Sequence, residues 1–322
     1  MGIHSTFLRA GIRCQKRHYI AGLTLCLLLM MSYSAYAGPS IPAKAWVVMD
    51  DSGTIIDSRY PNARLAPAST VKLVTAMVIL DSLCPDMPVT ISIHAEKVHS
   101  IRPRLLAGEE ITVNDLLRLA LMQSVNSAAV ALAEAAAGSE RDFVAMMNNK
   151  AREIGATNTL FANASGLPNG RQYTTANDLV LILKAALTYP LIREILSEKI
   201  AVITTGGGRD MFIENTNNLL WQDEKMIGGK TGYTGTARHC FVCAVNTDNG
   251  PLFTAVLGVR TRRSLWTSIE KLSAIGRDSL MMKIKYNEAE FTPEKPVNNH
   301  EDDLPPIIKD SSNPGMISAI TQ

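Results

Sequence analysis

Segments with strand character stand towards both ends of this chain, and the residues between them have the pattern of helices. The strand segments are 45–49, 54–56, 226–231, 240–245 and 253–259. Asp50–Gly53 and Asp248–Gly250 have the composition of hairpin turns and join neighbouring strands in each group. This order predicts a mixed α+β fold in which one antiparallel sheet is built from both chain ends, with a mostly helical lobe inserted over about 85–200.

Helix signals fill the middle of the chain. Thr112 followed by Asp115 resembles a capping box, Ser139 is a candidate N-cap, and Gly138 and Gly155 are stop signals. The predicted helices cover about 112–122, 127–137, 139–154 and 176–188, and a last one covers roughly 264–284.

An earlier helix is predicted over Thr70–Leu80, where every residue is apolar except Thr70, Lys72 and Thr75. Its length and its Ala, Leu and Met content favour a helix buried on most sides. Lys72 is its only charge, and a lysine at a buried position is costly unless it has a task.

The first 37 residues have the pattern of a secretory signal peptide. Four basic residues precede a short apolar run, Tyr19–Met31, and small residues end it at Ala35–Ala37. A membrane span needs roughly 20 apolar residues, which this run does not reach. Export to the periplasm or the extracellular space follows, and removal of 1–37 leaves 28 of the 32 Lys and Arg against 30 Asp and Glu. That balance gives no electrostatic case for nucleic-acid binding.

The remaining cysteines and histidines do not predict a disulfide framework or a metal site. Cys240 and Cys243 stand three apart in a predicted strand, so their side chains point to opposite faces. Together with Cys84, they are the three cysteines that follow residue 37. The histidines there, which show no ligand spacing, are His94, His99, His239 and His300. We expect no metal and no cofactor.

Ser69 and Lys72 are the candidate nucleophile and base. A serine hydroxyl is a weak nucleophile that needs a base within hydrogen-bond reach, and a separation of three residues puts both side chains on one helix face. Burial lowers the pKa of a lysine and so makes it a base. The spacing alone proves little, because Ser268 and Lys271 repeat it in the last helix.

Three short motifs occur in order along the chain: Ser69-Thr-Val-Lys72, Ser124-Val-Asn126 and Lys230-Thr-Gly232. The first stands at a helix start, the second at a joint between helices and the third in a glycine-rich strand. Together they resemble the motifs that penicillin-binding proteins and serine β-lactamases share.

Further segments make the resemblance closer, to the low-molecular-weight penicillin-binding proteins of the D-alanyl-D-alanine carboxypeptidase family, serine peptidase S11. They are Asn62–Ser69, Gly108–Leu117, Ala164–Pro168 and Tyr173–Leu179. The resemblance spans about 45–285 and implies a β-lactamase/transpeptidase-like fold with the active site in a groove between sheet and helical lobe. A catalytic domain over 38–285 and a disordered tail over 286–322 are expected.

The resemblance also implies roles for the first two motifs. Ser69 is expected to be acylated, with Lys72 as its base. Ser124 is expected to relay a proton to the departing D-alanine, and Asn126 to bind the peptide amide of the substrate. Ser127 departs from the family, which usually has Asp there, and this puts the packing behind the turn in doubt.

The third motif and the strand after it supply the remaining expected contacts. Lys230 provides positive charge, Thr231 hydrogen-bonds the substrate, and Gly232 lets the peptide lie close to the strand. The backbone N–H of Tyr233 would complete an oxyanion hole with that of Ser69. Arg260, at the end of a strand, is expected to bind the substrate carboxylate, because a planar guanidinium suits that group.

The expected activity is release of the terminal D-alanine from peptidoglycan pentapeptide stems in cell-wall biogenesis, with β-lactams as covalent inhibitors. The nearest alternative is a D,D-endopeptidase that cleaves D-Ala cross-links. A class A β-lactamase needs a Glu-positioned water, and 161–173 contain no Glu or Asp. A non-catalytic peptidoglycan sensor is a further alternative. The polar C-terminal segment predicts no stable membrane anchor after signal cleavage.

Overall fold

The computed structural model describes the backbone of residues 40–290 and the side chains of 40–282. The expected signal peptide and nearly all of the expected tail lie outside these residues. The strands are β1 Ala45–Met49, β2 Ile55–Arg59, β3 Pro88–Thr90, β4 Glu110–Thr112, β5 Ile200–Thr204, β6 Asp210–Glu214, β7 Met226–Thr234, β8 Arg238–Thr247 and β9 Gly250–Val259. The α-helices are α1 Lys72–Ser82, α2 Ile93–Lys97, α3 Val113–Leu121, α4 Asn126–Ala137, α5 Glu140–Glu153, α6 Ala176–Ala186, α7 Pro190–Ser197 and α8 Arg262–Glu290.

A five-stranded antiparallel sheet has the strand order β2-β1-β9-β8-β7. Both ends of the described chain therefore contribute to one sheet, and the predicted mixed architecture is confirmed. Both predicted hairpins are present, β1–β2 and β8–β9. Strand β7 forms one edge, so its outer backbone is available to neighbouring groups.

The sheet carries an apolar core on each face because side chains alternate along each strand. Ala45 and Val47 pack in the core shared with α1 and the helical lobe, whereas Val48 packs with Leu265 and Ile269 of α8. Cys240 belongs to the first core and Cys243 to the second. Cys84, Cys240 and Cys243 are free thiols. The prediction that Cys240 and Cys243 face apart is confirmed.

The predicted helix signals act as capping groups. The Thr112 hydroxyl accepts a hydrogen bond from the backbone N–H of Asp115 at the start of α3. The Ser139 hydroxyl does the same for Asp142 in α5. Gly138 ends α4 with a φ of 73°, a left-handed conformation that favours glycine.

The sequence analysis did not predict helices α2 and α7 or the strands β3 to β6. Pro190, which follows the predicted helix 176–188, begins α7, where its fixed φ suits the first turn. Strands β5 and β6 form a hairpin across a glycine-containing turn at 206–208, and β3 and β4 form a second small sheet.

The last helix, α8, begins two residues before its predicted start and stays helical to Glu290, so the expected domain end at 285 falls inside it. No helix within 40–290 combines the length and hydrophobicity that crossing a bilayer requires.

Candidate active site

Ser69 lies at the junction where one turn of 3-10 helix, Ala68–Val71, runs directly into α1. Ala68 has a φ of 49°. Gly166 crosses this turn so closely that a Cβ at residue 166 would lie 2.0 Å from the Ala68 carbonyl oxygen. Gly166 therefore has to be glycine for contact as well as for its φ of 84°. This crossing sets the position of the Ser69 turn.

Lys72, one helical turn after Ser69, is completely buried. Its Nζ lies 2.7 Å from Asn126 Oδ1, 2.6 Å from the Ser165 carbonyl oxygen and 3.1 Å from Ser69 Oγ. Burial, together with the positive charge of Lys230, holds the pKa of Lys72 well below its usual value. A neutral amine has two hydrogens for the two shorter contacts, which leaves its lone pair for the Ser69 hydroxyl proton.

Lys230 on β7 is the second buried lysine. Its Nζ donates to Ser124 Oγ at 3.1 Å and to the Thr231 carbonyl oxygen at 3.0 Å. Burial lowers the pKa of Lys230 to about 7. Ser124 has a φ of 66°, a strained value for a residue with a side chain, in the joint between α3 and α4. This backbone conformation accompanies a side chain that faces Lys230.

Strand β7 passes directly over the Ser69 turn. A Cβ at Gly232 would lie 2.9 Å from the Ser69 backbone nitrogen and 3.0 Å from the Ala68 Cβ. Only glycine permits this approach without displacement of the strand. The next residue, Tyr233, exposes 55% of its surface and stacks on His239 with 4.5 Å between ring centroids. Gly232 and Tyr233 thus bring strand backbone beside the serine.

Asn126 has a different set of contacts from the expected one. Its Oδ1 accepts from Lys72, and its Nδ2 donates to the His99 carbonyl oxygen at 2.9 Å. The amide therefore positions Lys72 and ties the 99–100 loop to the site. Asn126 also lines the groove, so the expected contact with a substrate amide stays a prediction.

Thr231 shares a short hydroxyl contact with Thr216, at 2.6 Å between the two Oγ1 atoms. Thr216 Oγ1 also donates to the Met122 carbonyl oxygen at 3.1 Å. Since a hydroxyl has one hydrogen, a Thr216 hydroxyl that donates to Met122 must accept from Thr231. Thr216 thereby orients the Thr231 side chain.

A cavity of about 330 Å³ opens between these elements, within the size range of small-ligand pockets. The predicted residues that line it are Ser69, Ser124, Asn126, Thr231, Gly232 and Tyr233. Lys72 and Lys230 lie beneath this surface, each in contact with one of its serines. The structure thus brings all three motifs together around one cavity.

Arg260 is exposed at the end of β9 and is not among the residues that line the cavity, whereas Arg262, at the start of α8, is. The expected contact of Arg260 with a substrate carboxylate stays a prediction. The positive charge of Arg262 also reaches His239, whose pKa is lowered by burial and by this arginine.

Sequence reasoning missed the other lining residues, which are Ile101, Thr216, His239, Arg262, Leu265 and Trp266. None belongs to a motif, and each reaches the cavity through tertiary packing. Ser127, the departure from the family pattern, is buried, and its hydroxyl has no hydrogen-bond partner within the described part of the chain. No group of His, Cys, Asp or Glu side chains in that part could hold a metal ion.

Two serines, each beside its own buried lysine, in a groove between an antiparallel sheet and a helical lobe, define the β-lactamase/transpeptidase-like class of proteins. The family model for peptidase S11, described as D-alanyl-D-alanine carboxypeptidase, matches residues 32–261. The chain belongs to this family.

Individual relatives agree with the family match. D-alanyl-D-alanine carboxypeptidase DacF of Bacillus subtilis is 32% identical over 236 residues, 71% of this chain and 61% of that protein. The D-alanyl-D-alanine endopeptidase of Escherichia coli is 33% identical over 225 residues, 68% of this chain and 72% of that protein. The crystal structure of a D-alanyl-D-alanine carboxypeptidase from Mycobacterium tuberculosis superimposes with a TM-score of 0.71 at 33% identity, covering 76% of this chain and 94% of that chain. This chain thus spans less than two thirds of DacF.

Proposed function

We propose that this chain is an exported serine D-Ala-D-Ala peptidase that acts on peptidoglycan stem peptides through an acyl-enzyme on Ser69. The observation that carries the proposal is the placement of Ser69 Oγ 3.1 Å from the Nζ of a fully buried lysine. Family membership supplies the substrate class, and the signal-peptide pattern at 1–37 supports a periplasmic or extracellular location.

In the first chemical step, neutral Lys72 takes the hydroxyl proton while Ser69 Oγ attacks the carbonyl carbon of the penultimate D-alanine. The negative charge that develops on the carbonyl oxygen faces the backbone N–H groups of Ser69 and Tyr233. Donors of this kind typically contribute on the order of 100- to 1000-fold in rate. Gly232 allows the two donors to converge, because it admits the strand to the Ser69 turn.

In the second step, the scissile C–N bond breaks and the leaving amine takes a proton. Ser124 delivers that proton and recovers one from protonated Lys72. Lys230 assists, because its Nζ lies 3.1 Å from Ser124 Oγ. Arg262 lines the same cavity and holds the carboxylate of the departing residue. Water then hydrolyses the ester and restores Ser69.

β-Lactams enter the same scheme, but their leaving nitrogen stays tethered to the acyl group. No acidic residue lines the cavity, and 161–173 contain none, so there is no carboxylate to activate water for fast deacylation. A stable adduct follows, which makes β-lactams covalent inhibitors rather than substrates.

The second candidate activity is endopeptidase cleavage of D-Ala cross-links. One observation favours it: two of the relatives, from Escherichia coli and Pseudomonas aeruginosa, are D-alanyl-D-alanine endopeptidases, at 33% and 32% identity.

The test compares alanine release from a pentapeptide ending in D-Ala-D-Ala with cleavage of a cross-linked stem-peptide dimer, using purified wild type and Ser69→Ala. We expect wild type to hydrolyse at least one of the two substrates and Ser69→Ala to hydrolyse neither. Absence of both activities in a wild-type protein that is folded by circular dichroism would overturn the proposal.

A further inference from the structure

A second cavity, of about 850 Å³, adjoins the serine groove on the side of Ser124. The two cavities share Ile101 in their walls. Gln123 and Ser127 line the larger one, while Ser124 and Asn126, in the same turn of chain, line the smaller one. In the proposed reaction the leaving amine takes its proton at Ser124, so a leaving group that continues beyond this turn would enter the second cavity.

The walls of the second cavity are held in place before any ligand binds. One wall is the loop 96–106, and the other is the β5–β6 hairpin. Arg209 of the hairpin donates two hydrogen bonds to Glu109, at 2.7 and 2.6 Å, and one to the Arg104 carbonyl oxygen at 3.2 Å. Gln123 accepts from the backbone N–H of Glu214 at 3.0 Å, which ties the hairpin to the Ser124 turn. A preformed cavity avoids the cost of ordering its walls on binding.

The charges on these walls favour an anionic ligand. Lys97 and Arg102 have no ion-pair partner within the described residues, while Arg104 is paired with Glu96 at 2.9 Å. Asp210 is the other acidic lining residue, and its carboxylate already accepts a hydrogen bond from the Thr204 hydroxyl. The cations that remain available therefore outnumber the anions.

The same walls also offer apolar surface, and an unpartnered polar group is buried behind them. Phe212 exposes 81% of its surface, and Ile101 exposes 49%. Ser127 is also a lining residue, but only 2% of its surface is exposed, and its hydroxyl, which lacks a hydrogen-bond partner among the described residues, is buried behind the wall. A buried polar group of this kind is costly unless something satisfies it.

From these contacts we propose that the second cavity is a subsite for the peptide on the leaving-group side of a cross-linked substrate, with carboxylates at Lys97 and Arg102 and an aliphatic chain against Phe212. The inference rests on the proposed function, since it takes the cleavage at Ser69 as given. In this arrangement a cross-linked substrate, which an endopeptidase cleaves, occupies both cavities.

The test measures kcat/KM for a cross-linked stem-peptide dimer, alanine release from a pentapeptide, and the rate of acylation by a β-lactam. For Phe212→Ala and Arg102→Glu we expect dimer cleavage to fall about tenfold each, the loss of one aromatic or charge-assisted contact. Pentapeptide hydrolysis and acylation should stay within about twofold of wild type. Matched controls are Ile200→Ala, on the same hairpin but outside the cavity, and Arg193→Glu, an exposed arginine without an ion-pair partner within 40–282. Both controls should leave all three rates unchanged.

Dimer cleavage that is unchanged in both variants, or that falls no more than pentapeptide hydrolysis, would overturn the subsite. So would a wild-type protein that hydrolyses the pentapeptide and not the dimer, and in that case the proposed function would still stand. A wild type that neither hydrolyses a peptide nor is acylated would remove the proposed function itself, and the subsite with it.

Discussion

Asn126 Oδ1 lies 2.7 Å from Lys72 Nζ, closer than Ser69 Oγ does at 3.1 Å. The asparagine comes from the start of α4 and the lysine from the start of α1, so this contact joins two motifs across the core. A neutral amide accepts a hydrogen bond from Lys72 without favouring its charged form as a carboxylate would. The residue type at 126 therefore helps to keep Lys72 a base.

Asn126→Asp should move the pH dependence of acylation. A carboxylate at this distance stabilises the ammonium form and raises the pKa of Lys72, so the rise in acylation rate with pH should shift to higher pH. Asn126→Ala removes the contact without adding charge. Its acylation should be slower than that of wild type, but the pH at which the rate rises should not shift upward. β-Lactam acylation rates measured across pH check this, and an Asp variant whose rate rises over the wild-type pH range would contradict it.

Lys230→Met should change how stability depends on pH. In the folded protein the pKa of Lys230 is about 7, against 10.5 ordinarily, so between these values the unfolded chain binds a proton that the folded chain does not. The free energy of unfolding therefore rises with pH in this window, by up to about 1.4 kcal/mol per pH unit for one lysine.

We expect a steeper rise in wild type than in Lys230→Met between about pH 7 and 8.5, measured by urea unfolding at several pH values. Above this range Cys240 and Cys243, whose pKa values burial raises, make the free energy of unfolding fall as the pH rises. Loss of the positive charge of Lys230 also raises the pKa of Lys72 in the variant, which reduces the part of the slope that Lys72 contributes and so acts in the same direction. Equal slopes in the two proteins would show that Lys230 does not titrate below its ordinary pKa.

Gly232→Ala should disable the site while Gly235→Ala leaves it intact. The added Cβ at 232 would meet the Ser69 nitrogen at 2.9 Å, whereas one at 235 meets nothing within 4 Å. Displacement of the strand separates the two oxyanion donors, so acylation should fall about 100-fold or more. Acylation rates with thermal midpoints check this, and similar rates for the two variants would rule out the close approach.

Arg262→Ala should weaken recognition of the substrate carboxylate, and Arg260→Ala should not. Loss of a charge-assisted hydrogen bond raises KM for a peptide with a free C-terminal carboxylate by about 10- to 100-fold. The same peptide with a C-terminal amide serves as the control, because Arg262→Ala should change its KM little. A larger rise in KM for Arg260→Ala than for Arg262→Ala would show that Arg260 binds the substrate carboxylate.

Local geometry explains which parts of this site could be predicted. Ser69 and Lys72 share a helix face whatever surrounds them, and the caps at Thr112 and Ser139 act within one turn. Whether residue 260 or residue 262 lines the cavity depends on where β9 ends and α8 begins. Sequence propensity does not define such a boundary to within two residues. The resemblance identified the segment but not which arginine faces the cavity.

Tertiary contacts explain most of what was missed. Thr216 reaches Thr231 only because the segment after β6 lies against the end of α3, a pairing that no spacing in the sequence encodes. The β5–β6 hairpin is different, because two short apolar runs, Ile200–Ile203 and Met211–Ile213, flank a Gly206–Gly208 turn, a signal that was available in the sequence. The wall of the larger cavity could therefore have been predicted, though not its contact with the Ser124 turn.

The most direct test of the account is the intact mass of wild type and Ser69→Ala after incubation with a β-lactam. We expect wild type to gain the mass of one β-lactam and to keep it for hours, because no carboxylate activates a deacylating water. Ser69→Ala should gain nothing. An adduct on Ser69→Ala, or none on wild type, would contradict the assignment of Ser69 as the nucleophile.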